Sequence, residues 1–338
     1  MSNAGEPGLD EWRSIQAARR LLADRSGTGR PMVAASVLTD AGRIHTAVDV
    51  DHNLDWCAIC AETGALSEAL SLAPDARIVF CVALNASGRV MTPTADCLDV
   101  LGEYAAGLRV ALPAPGDAVQ VSTLPALSRR RARVQAQVPL GVILAGGRAT
   151  RMGGGDKGLR PVAGRRLLDH VIARLRPQVA GMAINANGDP SRFAEFDLPV
   201  LPDSIDGHAG PLAGVLAGLD WAAGQGAAAI VTAAADTPFF PPDLVARLQA
   251  ATGPAGLALA ASPDGDGRLQ RHPTFGLWPV DLREDLRAAL RGGLRKIVHW
   301  TEQHAAGHAS FPAAPFDPFF NVNTPDDIAL AEDLARQA

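Results

Sequence analysis

The stretch VILAGGRATRMGGGDKGL, residues 142–159, decides how the second half of this 338-residue chain reads. With Leu140 and Gly141 before it, the opening is a short β-branched apolar run bounded by glycine, the pattern of a buried parallel strand. The loop that follows holds six glycines, two arginines, an aspartate and a lysine. That is too few side chains to pack a core and too much charge for a casual turn. Glycines let the backbone approach a ligand and turn its N–H groups toward phosphate oxygens, while Arg151 and Lys157 can neutralise charge that builds on a phosphate during transfer. LLDHVIARLRP, residues 167–177, then carries apolar positions at helical spacing before a proline stop. Strand, loop and helix together read as the opening of a nucleotide-binding α/β unit.

Later segments repeat the alternation. GMAINAN (181–187) reads as a strand and GPLAGVLAGLDWAAGQG (210–226) as a helix. AAAIVTAAAD (227–236) reads as a strand ending in an acid, and PPDLVARLQAA (241–251) as a helix led by proline. An open, mostly parallel sheet covered by helices is expected, with ligands at the carboxyl ends of its strands. Asp236 falls at such an end, where a carboxylate can hold Mg²⁺ against a triphosphate.

The rest of the composition bounds the function. The length suggests two domains. A net charge of -5 and an aromatic content of 5% argue against a general nucleic-acid binder. No apolar run approaches the length of a bilayer span, and the N-terminus lacks a basic n-region and an apolar h-region, so a cytoplasmic protein is expected. The four cysteines, Cys57, Cys60, Cys81 and Cys97, all lie in the first third, which favours a metal site or buried thiols over a disulfide framework. The basic segment LSRRRARVQAQVP, residues 127–139, reads as a solvated linker or frayed helix.

The loop matches neither GxxxxGK[ST] nor GxGxxG with a ribose-binding acid. It resembles the signature of sugar-nucleotide and cofactor nucleotidyltransferases, LAGG followed by RMG and DKG. Within them the chain resembles the molybdenum cofactor guanylyltransferases from about residue 140 to residue 328, through LAGGRATRMGGGDKGL, NANGD, LPDSIDGHAGPLAG, AADTPFFPPDL, RHPTFGLW and FFNVNTPDD in order. Those enzymes join GMP from GTP to the terminal phosphate of molybdopterin and release pyrophosphate. The resemblance implies that Leu144, Ala145, Gly146 and Gly147 bind the nucleotide through the backbone. It places Lys157 on the phosphates, with Arg151 and Asp236 beside it in catalysis, and Asn185 and Asp203 on the guanosine. Asn323 would complete the Mg²⁺ shell or start a helix, and Asn321 and His272 would lie toward the pterin. A related cytidylyltransferase of the same fold is the alternative. Molybdoenzyme apoproteins or their chaperones are implied as partners; nucleic acid and membrane are not.

The first half resembles the cytidine deaminase family over residues 13–112. VAASVLTDAGRIHTAVDVDHNLDWCAICAETGALSEALS (33–71) reads as two strands joined by a turn at Asp40, Ala41 and Gly42, then a loop, then a helix beginning near Cys60. In that family a Cys-Ala-Glu and a Pro-Cys-x-x-Cys supply zinc ligands and a proton-shuttling Glu. Here Cys60, Ala61 and Glu62 are intact, but residues 93–97 read PTADC, so Thr94 stands in place of a cysteine and Cys97 alone remains. A neutral hydroxyl poorly replaces a thiolate at zinc, so weak or absent Zn²⁺ binding is expected unless Cys57 supplies a third sulfur. The expected architecture is α/β in two domains. Residues 8–126 form a cytidine deaminase-like three-layer α/β domain, 127–138 a linker, and 139–338 a Rossmann-like nucleotidyltransferase domain of the GT-A-like type with a mostly parallel sheet. The first domain would act as a scaffold or partner-recruiting module, with a bifunctional deaminase-transferase as the alternative.

Overall fold

A computed structural model of the chain describes residues 5–25, 32–50, 59–105, 107–146, 156–205 and 210–336. The chain divides into two compact units: Met1–Ala132 with Gly253–Ala255 and His299–Ala306, and Arg133–Thr252 with Gly256–Val298 and Gly307–Ala338.

The first unit contains α1 (Leu9–Arg25), β1 (Ala34–Thr39), β2 (Ile44–Val48), α2 (Ala61–Leu72), β3 (Ile78–Leu84), β4 (Val90–Met91), α3 (Ala95–Tyr104), β5 (Arg109–Pro113) and β6 (Val119–Thr123). Its sheet runs β2-β1-β3-β5-β6, with β4 also on β3; β3 and β5 are parallel and the other pairs antiparallel. The turn between β1 and β2 closes with Gly42 N–H donating to the Thr39 carbonyl at 3.0 Å, and Gly42 has a φ of 75° that favours glycine. Alternation along β3 makes the unit three layers. Phe80, Val82 and Leu84 pack with Ile15 and Ala18 of α1, while Cys81 packs with Ala65, Leu66, Leu98 and Leu101 of α2 and α3; Ile78 joins the latter side across the irregularity where β3 meets Thr39.

The segment read as a linker is helical. Its residues 127–136 lie in α4 (Leu124–Ala136), and the division between units falls inside that helix, between Ala132 and Arg133. Two apolar positions seven residues apart explain the helix better than its arginines. Leu127 is buried in a core of the first unit and Val134 in that of the second.

The second unit opens with β7 (Leu140–Leu144). Next come β8 (Pro161–Val162) and β9 (Arg165–Arg166), which pair as a small hairpin, then α5 (Leu167–Leu175), β10 (Met182–Asn185), β11 (Val200–Leu201), α6 (Pro211–Gly224) and β12 (Ala229–Ala234). It continues through α7 (Leu244–Ala250), β13 (Ala258–Pro263), β14 (Leu269–Pro279), α8 (Arg283–Arg291), β15 (Gly307–Ser310) and α10 (Pro325–Ala335); α9 (Ile297–Gln303) falls between α8 and β15 in sequence, but from His299 onward it belongs to the first unit. The prolines expected at the start of α7 precede its first residue.

Among the described residues its sheet runs β11-β10-β7-β12-β14-β13-β15. Strands β11, β10, β7 and β12 are parallel to one another, β14 is antiparallel to both β12 and β13, and β13 and β15 are parallel. From β7 the chain moves to β10 on one side and later to β12 on the other, so the connections diverge there. Such a switch point leaves a crevice at the carboxyl ends of the strands. Helix α6 is buried on nearly every side, and its run of Leu, Ala, Val and Gly fits that setting. Helices α5 and α7 pack into the main core with Ile143, Ile184, Val231, Phe240 and Phe275.

Candidate functional site

The parallel registers bring three strand ends to one level. Leu144 is opposite Asn185 on one side and Ala234 on the other. Beyond them, Ala145 N–H donates to the Asn185 carbonyl at 2.9 Å and Ala235 N–H to the Leu144 carbonyl at 3.1 Å. Leu144, Ala145 and Gly146 therefore start the glycine loop directly over the crevice. Gly147 and Arg151 lie outside the described residues.

At one side of the crevice sits Lys157, the first residue of a single 3-10 turn. Its Nζ is 2.5 Å from Asp236 Oδ2 and also donates to Asn323 Oδ1, partners 79 and 166 residues away in sequence. The Lys157 and Asp236 side chains are 13% and 24% exposed, so the pair is screened from bulk solvent yet open on one side. Asp236 follows β12, and its carbonyl accepts from Val322 N–H at 2.9 Å, which ties the Asn321 to Asn323 segment to that strand end. Thr237 Oγ1 donates to Asn321 Oδ1 and lies 3.2 Å from Asp236 Oδ1. Asn323 is held by its backbone. Its N–H donates to Asp327 Oδ2 at 2.8 Å, and Thr324, not Asn323, caps α10 in a reciprocal box with Asp327.

Across the crevice, the buried Asn185 amide donates to the Leu201 carbonyl and to Asp203 Oδ1, both at 3.0 Å. Asn187 completes the hold on Asp203, donating to Oδ2 at 2.8 Å and accepting from Asp203 N–H at 2.9 Å. Gly214 on α6 lies directly against Asn185. A Cβ there would fall 2.1 Å from Asn185 Oδ1 and 2.8 Å from its Cγ.

The structure thus gathers Lys157, Asp236, Asn321 and Asn323 into one cluster and Asn185 and Asp203 into another. His272 joins neither network. It is 9% exposed, its ring stacks on Phe319 at 4.2 Å, and its Nε2 is 2.7 Å from Ser262 Oγ. This is a packed histidine. Burial holds its pKa below the ordinary imidazole value, against the opposing charge of Asp317. Below the unfolded value of about 6.5, the unfolded chain takes up protons that the fold resists, so this contribution to stability rises with pH and is lost on acidification. The urea midpoint is expected to fall between about pH 7.5 and about pH 5.5, with a smaller fall in His272→Phe, which keeps the ring stack. Equal falls in both proteins would contradict the assignment.

Sequence reading missed Asn187, Thr237, Gly214, Asp156 and Arg192. The first four sit inside quoted motifs, two residues or fewer from a residue that was chosen or, for Gly214, closing the GPLAG run. Arg192 had no such signal. Its guanidinium Nη1 lies 2.6 Å from both carboxylate oxygens of Asp156.

In the first unit, Cys60, Glu62 and Cys97 bring one ligand atom each within 4.8 Å of one another. Cys60 precedes α2, and Cys97 lies in the first turn of α3. Thr94 Oγ1 accepts from Cys97 N–H at 3.3 Å and so caps α3. A hydrogen bond from Cys97 brings the Cys60 thiol down to about 7; Cys97 is pushed up by making that bond and by burial. Burial also raises Glu62. A deaminase zinc needs three protein ligands and, apart from them, a free glutamate. Among the described residues there are three groups in total, so either Glu62 ligates and no base remains, or it stays free and zinc has two ligands. The set does not fit that chemistry. Cys57 lies outside the described residues.

No helix among the described residues is long and apolar enough to cross a membrane. Residues 141–306 match the MobA-like NTP transferase domain. A molybdenum cofactor guanylyltransferase of Bradyrhizobium sp. (strain ORS 278) is 53% identical over 198 residues, which cover 58% of this chain and 92% of that protein. Among solved structures, molybdopterin-guanine dinucleotide biosynthesis protein A from Archaeoglobus fulgidus is 23% identical with a TM-score of 0.45, covering 59% of this chain and all of that one. The cytidine deaminase of Mycobacterium leprae is 25% identical with a TM-score of 0.27, covering 32% of this chain and 92% of its own. By its likeness to the Bradyrhizobium protein along nearly the whole of that relative, the chain belongs to the molybdenum cofactor guanylyltransferase family and is a nucleotidyltransferase.

Proposed function

We propose that this chain transfers GMP from GTP to the terminal phosphate of molybdopterin, forming a guanine dinucleotide cofactor and releasing pyrophosphate. An oxygen of the acceptor phosphate attacks the α-phosphorus in line; the bond from that phosphorus to the bridging oxygen breaks, and the electron pair leaves with pyrophosphate. The observation that supports this best is the meeting of Lys157, Asp236 and Asn323 beside the glycine loop.

In the free protein Lys157 and Asp236 neutralise each other. In this reading each stands in for the other's ligand, and nucleotide binding separates them. Lys157 turns to the phosphates, where charge on the leaving pyrophosphate makes an ammonium most valuable. Asp236, with the amide oxygens of Asn321 and Asn323, offers the hard oxygen donors that suit Mg²⁺, which when bound would neutralise triphosphate charge. Asn185 and Asp203 would meet the guanosine. A carboxylate accepts from guanine N–H groups or ribose hydroxyls, and Asn187 keeps Asp203 oriented for this. No covalent nucleophile or histidine base is required.

Pyrophosphate release from GTP, CTP and ATP in the presence of molybdopterin tests the nucleotide. GTP is expected to be preferred by at least tenfold; preference for CTP would replace the reading with a cytidylyltransferase.

The first unit is read as a scaffold or recruiting module without hydrolytic activity. Full-length protein purified without chelator is expected to hold substoichiometric zinc and to leave cytidine unchanged. Stoichiometric zinc together with deamination would revive a bifunctional enzyme.

A further inference from the structure

The quoted motifs leave Arg192 without a task, yet every nitrogen of its guanidinium is engaged. Nε donates to the Asp189 carbonyl at 2.8 Å and Nη2 to the Asn187 carbonyl at 2.6 Å. Nη1 sits between the two Asp156 oxygens at 2.6 Å from each. The guanidinium carbon also lies 5.2 Å from the Phe193 ring centroid. Arg192 is 35% exposed and Asp156 15%, so this contact is better shielded than an ordinary surface ion pair.

Its two ends reach different parts of the crevice. Asp156 immediately precedes Lys157, whose ammonium meets Asp236 and Asn323. Asn187, whose carbonyl Arg192 holds, grips Asp203 with its side chain, and Asp203 in turn accepts from Asn185. One side chain therefore spans the exit of the glycine loop and the turn after β10.

We infer that Arg192 is a positioning residue that locks the phosphate side of the nucleotide site to the nucleoside side, so that GTP meets both already aligned. It touches no reacting atom. Its effect is preorganisation: without it, binding GTP must also order the Asp156 and Asn187 segments. A lysine has a single nitrogen on a flexible stem and cannot make contacts with Asp156, Asn187 and Asp189 in one plane. The inference rests on the guanylyl-transfer reading above.

The test is GMP-transfer kinetics on full-length wild type, Arg192→Ala, Arg192→Lys, Asp156→Asn and Arg192→Ala/Asp156→Asn. KM for GTP is expected to rise about tenfold in Arg192→Ala while kcat changes less, which corresponds to roughly 1.4 kcal/mol. Arg192→Lys should behave like Arg192→Ala. The double variant should resemble the worse single one, because both substitutions break one contact. Guanidinium ion at millimolar concentration should restore part of the loss in Arg192→Ala and ammonium should not, a response that a merely structural role would not give. Wild-type KM in folded Arg192→Ala, additive effects in the double variant, or equal rescue by the two ions would overturn the inference. If Arg192→Ala does not fold, Arg192→Lys and Asp156→Asn decide by the same KM criterion. A wild type that does not transfer GMP would instead overturn the underlying reading, and the inference with it.

Discussion

Lys157→Ala is expected to lower kcat for nucleotidyl transfer by about 10²- to 10³-fold, the usual loss when one preorganised charge is removed from a developing oxyanion. The fold should hardly notice. The pair with Asp236 is open to solvent on one side, so the carboxylate left behind can hydrate, and the loss of stability is expected to be small beside the loss of rate. Loss of rate with an almost unchanged melting temperature therefore separates a chemical role from a packing one. Lys157→Arg should recover little, because the site accepts a compact ammonium between Asp236 and Asn323 and a planar fork does not fit that position. Asp236→Asn should lose comparable activity and require more Mg²⁺, since a neutral amide is a weaker hard-ion ligand. Steady-state rates at saturating GTP across a Mg²⁺ titration read both effects. A Lys157→Ala protein with near wild-type kcat would remove the lysine from the reaction.

Gly214→Ala should be the second most damaging change, and here two effects oppose each other. In a helix interior, glycine to alanine is favourable by about 1 kcal/mol on propensity alone. Against this, the new methyl would fall 2.1 Å from Asn185 Oδ1 and 2.9 Å from Leu144 Cδ2. Overpacking costs about 1–3 kcal/mol, and Asn185 can escape only by giving up hydrogen bonds to Leu201 and Asp203 worth roughly 0.5–1.5 kcal/mol each. The net loss of stability is modest, but Asn185 is displaced and Asp203 loses a partner. KM for GTP should rise by about 10-fold or more. Gly218→Ala is the contrast: its Cβ would meet Val142 Cγ2 at 2.7 Å and Ile230 Cδ1 at 2.8 Å, in the core. That variant should lose thermal stability with little change in KM. If the two variants behave alike, Gly214 serves packing and not the site.

Much of this was legible in the sequence because it is local. Period and punctuation place β7, α5, β10, α6 and β12, and a glycine loop after a buried strand already implies a ligand at the strand ends. Lys157 stands out as a fixed charge in a glycine loop, and Asp236 as the acid that ends an apolar run. What joins them is not local. The Lys157 contacts span 79 and 166 residues, and they depend on Asp236 following β12 and on the Val322 N–H bond to its carbonyl, which carries Asn323 there. Arg192 carried no signal, since a single arginine in a polar turn reads as solvated. The Leu127 and Val134 stripe of α4 was obscured by the arginines between them. His299–Ala306 joins the first unit although it lies far along the chain. There Thr92 N–H donates to the Gln303 carbonyl at 2.9 Å, and Trp300 and His304 are buried. Such returns leave no periodic trace.

The most direct test of the central claim is product identity. Full-length protein is incubated with GTP, Mg²⁺ and molybdopterin, and the pterin fraction is examined by mass spectrometry alongside pyrophosphate release. The expected product is heavier than molybdopterin by one GMP less water, formed in equal amount with pyrophosphate and about 10²- to 10³-fold more slowly by Lys157→Ala. Pyrophosphate release without that product, or a cytidine adduct formed in preference from mixed nucleotides, would contradict it.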